Sequence, residues 1–153
     1  MNLQSDDFFD GDRLPDQHAY ASDNKSPSLR WTDLPEGARE IAIICEDPDA
    51  PSGTWVHWVL YSLSADHEGL DTGIPKWPVL DKLGNAKQGK NDFKKLGYDG
   101  PHPPPGDPHR YFFRIYVLDD YLSLGQGASA GQLREAMDGH ILAEKEIVGT
   151  YSR

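Results

Sequence analysis

A chain of 153 residues with 37% hydrophobic side chains, 12 prolines and 15 glycines is sized for a single domain, read here as 1–153. Its composition suits short strands joined by long turns better than a helical bundle. Its 25 acidic against 15 basic side chains leave a formal charge of −10, which excludes the basic stripe needed to grip DNA or RNA and disfavours anionic membrane surfaces. No segment approaches the ~20 apolar residues of a membrane-inserted helix. The opening MNLQSDDFFDG has neither a basic nor an apolar leader region, so a cytoplasmic chain is expected.

Taken in chain order, the first thirty residues are polar and turn-rich, with short apolar groups at Phe8-Phe9 and Leu29-Arg30-Trp31 that can pair as strands. Glu40 to Cys45 is a β-branched run that predicts a buried strand, stopped by Glu46-Asp47-Pro48-Asp49-Ala50-Pro51. Two prolines so close together must turn the chain sharply, which predicts a cis X-Pro bond in this block. Cys45, the only cysteine, excludes an intramolecular disulfide and a multi-cysteine zinc site, and its apolar neighbours predict a buried, inert thiol.

Thr54 to Leu63, TWVHWVLYSL, reads as a central strand. Strict alternation would set Trp55, His57, Val59 and Tyr61 on one face and Val56, Trp58 and Leu60 on the other. Residues 64 to 108 carry few periodic signals and read as a long structureless loop, functional or disordered. His109 to Leu118, HRYFFRIYVL, is the third strong strand. Ser129 can cap a helix in which Leu133, Ala136, Met137, His140 and Ile141 share a face, and Glu146 to Tyr151 returns as a short strand.

The chemistry-bearing side chains gather at the ends of these strands. Asp47 and Asp49 leave one, His57 lies in the next, and His109 and Tyr111 open the third on a common face. If the strands are neighbours, these groups form one pocket, with a carboxylate from the Asp47 turn holding His57 and raising its proton affinity. Each histidine alone is equally well read as a satisfied core residue and each aspartate as a turn cap. Four polar groups beside a proline clamp exceed what packing requires. Two histidines and a carboxylate can hold zinc or iron, but no His-x-x-x-His pair is present and no metal or cofactor is expected. His57 with Asp47 can serve as base and orienter. No serine or cysteine stands in an activating motif such as Gly-x-Ser-x-Gly, so the protein is not read as an enzyme.

Asp47-Pro48-Asp49-Ala50-Pro51 followed by Trp55-Val56-His57-Trp58, then Gly100-Pro101-His102-Pro103-Pro104-Pro105-Gly106 and His109-Arg110-Tyr111, resembles the signature blocks of the phosphatidylethanolamine-binding proteins. Further matches run through Asn24–Trp31, Gln88–Phe93 and Gly149–Tyr151. The Gln-Gly-x-Asn-Asp-Phe segment is most similar to the bacterial and archaeal branch described as Raf kinase inhibitor-like. The resemblance implies a mainly β, two-sheet antiparallel sandwich with a few short peripheral helices. It also implies a pocket for phosphate, acetate or phospholipid head groups made by residues matching Asp47, His57, His109, Tyr111 and the backbone near Gly100, with Asp49 alongside. In it the histidines and Tyr111 would donate to the anion and Asp47 would orient them.

Eukaryotic members add a pocket wall from an extended C-terminal helix. This chain ends at Arg153, so anion binding is more expected than lipid binding. His102 has no role by this comparison. The family's regulators and inhibitors also imply a possible kinase or protease as protein partner, and its bacterial members a homodimer. Fold likeness alone selects none of these.

Overall fold

A computed structural model describes residues 1–153. Strand β3 (Glu40–Asp47) is buried along its whole length, and the fold is assembled around it. Its odd-numbered side chains Ile41, Ile43 and Cys45 enter one apolar cluster, and its even-numbered Ala42 and Ile44 enter another on the opposite face. β4 (Trp55–Ser64) and β8 (His109–Leu118) pair antiparallel on its two sides. The three long strands read from the sequence are therefore the middle of one sheet.

β8 in turn pairs with β9 (Ile141–Tyr151), and β4 with β7 (Ala86–Gln88), which pairs with β6 (Val79–Leu80). The resulting six-stranded sheet has the order β6-β7-β4-β3-β8-β9. A second antiparallel sheet holds β1 (Asn2–Gln4), β2 (Leu29–Thr32) and β5 (Gly69–Leu70) in the order β1-β2-β5. Leu29, Trp31 and Leu70 of this sheet share a core with Ile41, Ile43, Trp58, Leu60 and Phe113 of the large one, so the fold is a mainly β two-sheet sandwich. The other face of the large sheet is covered by α1 (Ala130–Met137), through Leu133 and Met137, and by Ala128 before it.

Several sequence expectations are corrected. Phe8-Phe9 forms no strand: Phe8 packs on Phe113 with ring centroids 5.8 Å apart, and β1 at Asn2–Gln4 pairs with β2 instead. Residues 64 to 108 are not structureless, since β5, β6, β7 and a 3-10 turn at Asp81–Leu83 lie in them. The helix stops at Met137, where Gly139 takes φ +81 and redirects the chain. His140 and Ile141 thus leave its face, and the following strand is 11 residues long rather than six. Ser129 does cap α1 in a reciprocal box, accepting from the Gln132 backbone N–H at 3.1 Å while the Ser129 N–H donates to Gln132 Oε1 at 2.9 Å.

The predicted alternation in β4 fails at a bulge. Cys45 stands opposite Trp58 but Glu46 stands opposite Val56, leaving His57 as the extra residue. Val56 therefore joins Val59 and Tyr61 on the helix-covered face, while His57 and Trp58 both turn toward the side on which Tyr111 lies.

The expected cis bond is also absent, because every peptide bond is trans. The turn after Asp47 reverses by other means. The Asp49 N–H donates to Asp47 Oδ1 at 2.7 Å, the Gly53 N–H donates to Ala50 O at 3.0 Å, and Gly53 supplies φ +108. With the bend made by a side-chain turn and a glycine, nothing offsets the ~0.5–1 kcal/mol by which trans is favoured. Asp49 then pins this turn to β8, accepting from the Arg110 backbone N–H at 2.9 Å and from its guanidinium at 3.0 and 2.8 Å.

Two outcomes follow from the packing. Leu133→Ala removes a fully buried side chain from the helix-covered core and should cost about 2–5 kcal/mol in chemical denaturation. The histidine resonances of the strand ends should hardly move, since Leu133 packs on the other face of the sheet. Hydrogen bonds from Arg110 hold the Asp49 carboxyl at about 2, below its ordinary 3.8. A carboxyl lowered on folding stabilises fully above 3.8 and loses that contribution as pH falls through about 2. Asp49→Asn should therefore be less stable than the parent near neutrality, and urea midpoints of the two should converge over that acid window.

Candidate functional site

Because β3 lies between β4 and β8, its last residue, Asp47, sits beside the polar positions of both neighbours. Asp47, His57, His109 and Tyr111 line one cavity of about 240 Å³, together with Trp55, Phe93, His102, Pro103, Pro104 and the 50–52 turn. The volume is below the ~300–1,000 Å³ typical of sites for drug-sized molecules, so it suits a small head group.

Within it the partnership differs from the sequence expectation. Asp47 Oδ2 accepts from His109 Nδ1 at 2.7 Å, so the carboxylate holds His109 rather than His57. The reason is strand order: Asp47 and His109 both lie at strand ends, whereas His57 is set back along β4 and displaced by the bulge. His57 donates its Nδ1–H to the main-chain carbonyl of Asp99 at 2.7 Å, and the Asp99 N–H returns a bond to the His57 carbonyl at 3.1 Å. In both histidines an oxygen acceptor fixes the proton on Nδ1 and leaves Nε2 without a protein partner.

The acceptor that sets His57 is itself clamped. The buried Asp99 carboxylate accepts from Asn24 Nδ2 and Asn91 Nδ2, each at 2.8 Å, with Lys76 Nζ at 3.5 Å. Asn24 Oδ1 also accepts the Gly100 N–H at 2.7 Å, and Asn91 Oδ1 accepts the Phe93 N–H at 2.9 Å. One amide network thus orients both an imidazole and a wall of the cavity. Phe93 meets His57 and Trp55 edge-on, with centroids 5.5 and 5.4 Å apart, and stacks on Tyr20 at 4.8 Å.

Burial is the first effect on His57 and lowers its pKa, against the Asp99 carbonyl and the charges of Asp47, Asp92 and Asp99, which raise it. The raised proton affinity expected from an Asp47 contact is therefore overturned. Burial, followed by the Asp47 charge, pushes the Tyr111 phenol far up, so it remains a protonated donor. Cys45 is buried in the sheet and its thiol is likewise pushed up, first by desolvation.

Of the six residues singled out for ligand binding, Asp47, His57, His109 and Tyr111 converge. Asp49 and Gly100 do not line the cavity. Asp49 is occupied by Arg110, and Gly100 is a packing requirement, because a Cβ there would stand 1.8 Å from the His18 carbonyl oxygen. His102, unassigned from sequence, lies at the mouth with its ring 5.1 Å from Tyr20. Asn24, Asn91, Phe93 and Asp99 were missed as site residues. For Asn24, Asn91 and Phe93 the available signal is their place in segments that match the family's blocks, whereas Asp99 lies just outside them. No group of three His, Cys, Asp or Glu side chains is arranged to hold a metal ion, and no helix is long and apolar enough to cross a membrane.

Comparison with known proteins accords with the fold. A UPF0098 protein of Methanothermobacter thermautotrophicus is 44% identical over 153 residues, covering all of this chain and 99% of its own. The crystal structure of CT736 from Chlamydia trachomatis, described as a phosphatidylethanolamine-binding protein homolog, superposes with a TM-score of 0.88 at 38% identity, covering 99% of this chain and 96% of that one. Escherichia coli YbcL, described as a member of the mammalian family of these proteins, gives a TM-score of 0.92 at 29% identity over 99% of this chain and 98% of its own. The family profile named phosphatidylethanolamine-binding protein matches residues 4–152, and the chain belongs to that family.

Proposed function

We propose that this is a non-enzymatic, regulatory binding protein whose cavity takes the anionic head of a small ligand, phosphate or a phospholipid head group. The observation that carries the reading is the paired anchoring of two imidazoles. His57 and His109 each give Nδ1–H to a fixed oxygen at 2.7 Å, so that two Nε2 atoms and the Tyr111 phenol remain for one ligand. Groups immobilised before binding lose little entropy when the ligand arrives, and Trp55, Phe93 and the prolines supply apolar walls beside them.

The arrangement supports binding better than turnover. Ser52 is the one aliphatic hydroxyl among the lining residues, and it sits on the exposed 50–53 turn hydrogen-bonded to neither histidine. A hydrolytic serine needs a base within hydrogen-bond reach.

Titration with inorganic phosphate or phosphorylethanolamine, followed by histidine NMR shifts, tests the proposal. Both His57 and His109 should respond at millimolar ligand. His109→Ala should weaken phosphate binding by roughly tenfold to a hundredfold, the equivalent of one hydrogen bond to a charged group. Silence at both rings would end the reading. A phosphoesterase panel on the purified protein should show no turnover, and hydrolysis abolished by His57→Ala would reassign the cavity as an active site.

A further inference from the structure

The two histidines of the cavity are not equivalent as partners for an anion. His109 is backed by a carboxylate, so its protonated form is charge-balanced by Asp47 and offers Nε2–H as a donor. His57 is backed by a neutral carbonyl, and its reciprocal bonds with Asp99 bind the ring's Nδ1 edge to the 99–100 backbone. Phe93 and Tyr111 lie against the ring at 5.5 and 5.2 Å, both edge-on, which opposes a ring flip that would put Cδ2 in place of Nδ1 and Cε1 in place of Nε2. His57 therefore presents a lone pair at Nε2, which must accept a hydrogen bond from whatever fills the cavity.

We infer that the cavity selects the monoanion of a phosphate monoester or of phosphate itself, whose P–OH donates to His57 Nε2 while its charged oxygens accept from His109 and Tyr111. This rests on the anion-binding reading above and narrows its ligand. Sulfate carries no proton near neutrality, and a phosphodiester has none to give, so either would set an oxygen lone pair against the nitrogen lone pair. A polar site left without its matching proton discriminates strongly.

The surrounding charges act in the same direction. The groups facing His57 are Asp47 from β3, His109 and Tyr111 from β8, and Asp92 and Asp99 from the 91–100 segment, with His102 at the mouth. Three of the six are carboxylates, and Asp47 lines the cavity itself, so a second negative charge on the ligand is opposed. Burial favours the neutral form of His57, as an acceptor role requires.

The test uses the whole protein titrated near neutral pH with inorganic phosphate, sulfate, methyl phosphate and dimethyl phosphate at constant ionic strength. Calorimetry would give affinities, and ¹⁵N shifts would report the protonation of His57 Nε2. Phosphate and methyl phosphate should bind at least roughly tenfold more tightly than sulfate and dimethyl phosphate. Affinity per total methyl phosphate should fall as pH rises from about 6 to about 8, as the ligand loses its only remaining P–OH, and should fall less for inorganic phosphate, whose dianion keeps one. His57 Nε2 should keep the shift of an unprotonated, hydrogen-bonded nitrogen in the complex. His57→Gln, which can rotate to donate or accept, should retain phosphate while narrowing the gap to sulfate. Sulfate binding as tightly as phosphate, or a protonated Nε2 in the complex, would overturn the inference and leave the anion pocket standing. Tighter dimethyl phosphate would point to a lipid-type diester instead. Failure of all four ligands to move either histidine would remove the anion reading and this inference together.

Discussion

An imidazole buried at the end of an apolar sheet must find an acceptor for its ring N–H, and meeting that requirement twice organises this molecule. His57 and His109 are both buried, and neither can be left unpaired without losing the desolvation free energy of a polar group, about 1–3 kcal/mol. The acceptors come from opposite directions: the carboxylate that ends β3 for His109, and a main-chain carbonyl from the 97–100 turn for His57. The second requires a turn distant in sequence to be held against the sheet. Asn24, Lys76 and Asn91 do this by converging on the Asp99 carboxylate. Segments separated by up to 75 residues are tied together in setting one ring's orientation.

The same economy explains why an acidic chain can keep carboxylates at and beside its candidate site. Glu46, next to Asp47, is buried and shared by Arg114 Nη1 at 2.5 Å and Arg134 Nη2 at 2.6 Å, a link between β8 and α1. Asp49 is matched by Arg110. Among the three acidic side chains Glu46, Asp47 and Asp49 at this strand end, Asp47 alone is paired with a histidine rather than an arginine. Its neighbours Glu46 and Asp49 are neutralised by arginines, which stay charged at every ordinary pH. The strand end thus separates carboxylate–arginine pairs, which hold the fold, from a carboxylate–imidazole pair, which faces the cavity.

How much of this could be read from residues follows from the range over which each signal acts. The three central strands announce themselves in β-branched and aromatic runs, and their polar ends in the Asp-Pro-Asp and His-Arg-Tyr blocks, so the convergence of Asp47, His57, His109 and Tyr111 was legible. The pairing within that group was not, because it depends on a bulge at His57 that alternation cannot foresee and on which strand lies between the others. Nor was the role of Asp99, whose main chain rather than side chain meets the imidazole. A backbone carbonyl carries no sequence signature. Gly100 was legible as special but for the wrong reason: its missing Cβ makes room for the His18 carbonyl rather than for a ligand. The turn at 48–53 shows a similar limit, since two prolines marked a sharp bend correctly while the bend itself is made by Asp47, Asp49 and Gly53.

The apolar side of the cavity completes the physical picture. Trp55 and Phe93 meet edge to face, Phe93 continues onto Tyr20, and Pro103 is fixed from behind by Arg153 Nε donating to its carbonyl at 2.5 Å. These walls offer an anion no charge, yet they determine what the polar floor is worth. A hydrogen bond in a site shielded from water is stronger than the same bond at an open surface, and an unmatched one is correspondingly more costly. Rigid aromatic and proline walls thus convert the placement of protons on two imidazoles into selectivity. A more exposed version of the same four polar residues would let water supply whatever donor or acceptor the ligand lacked.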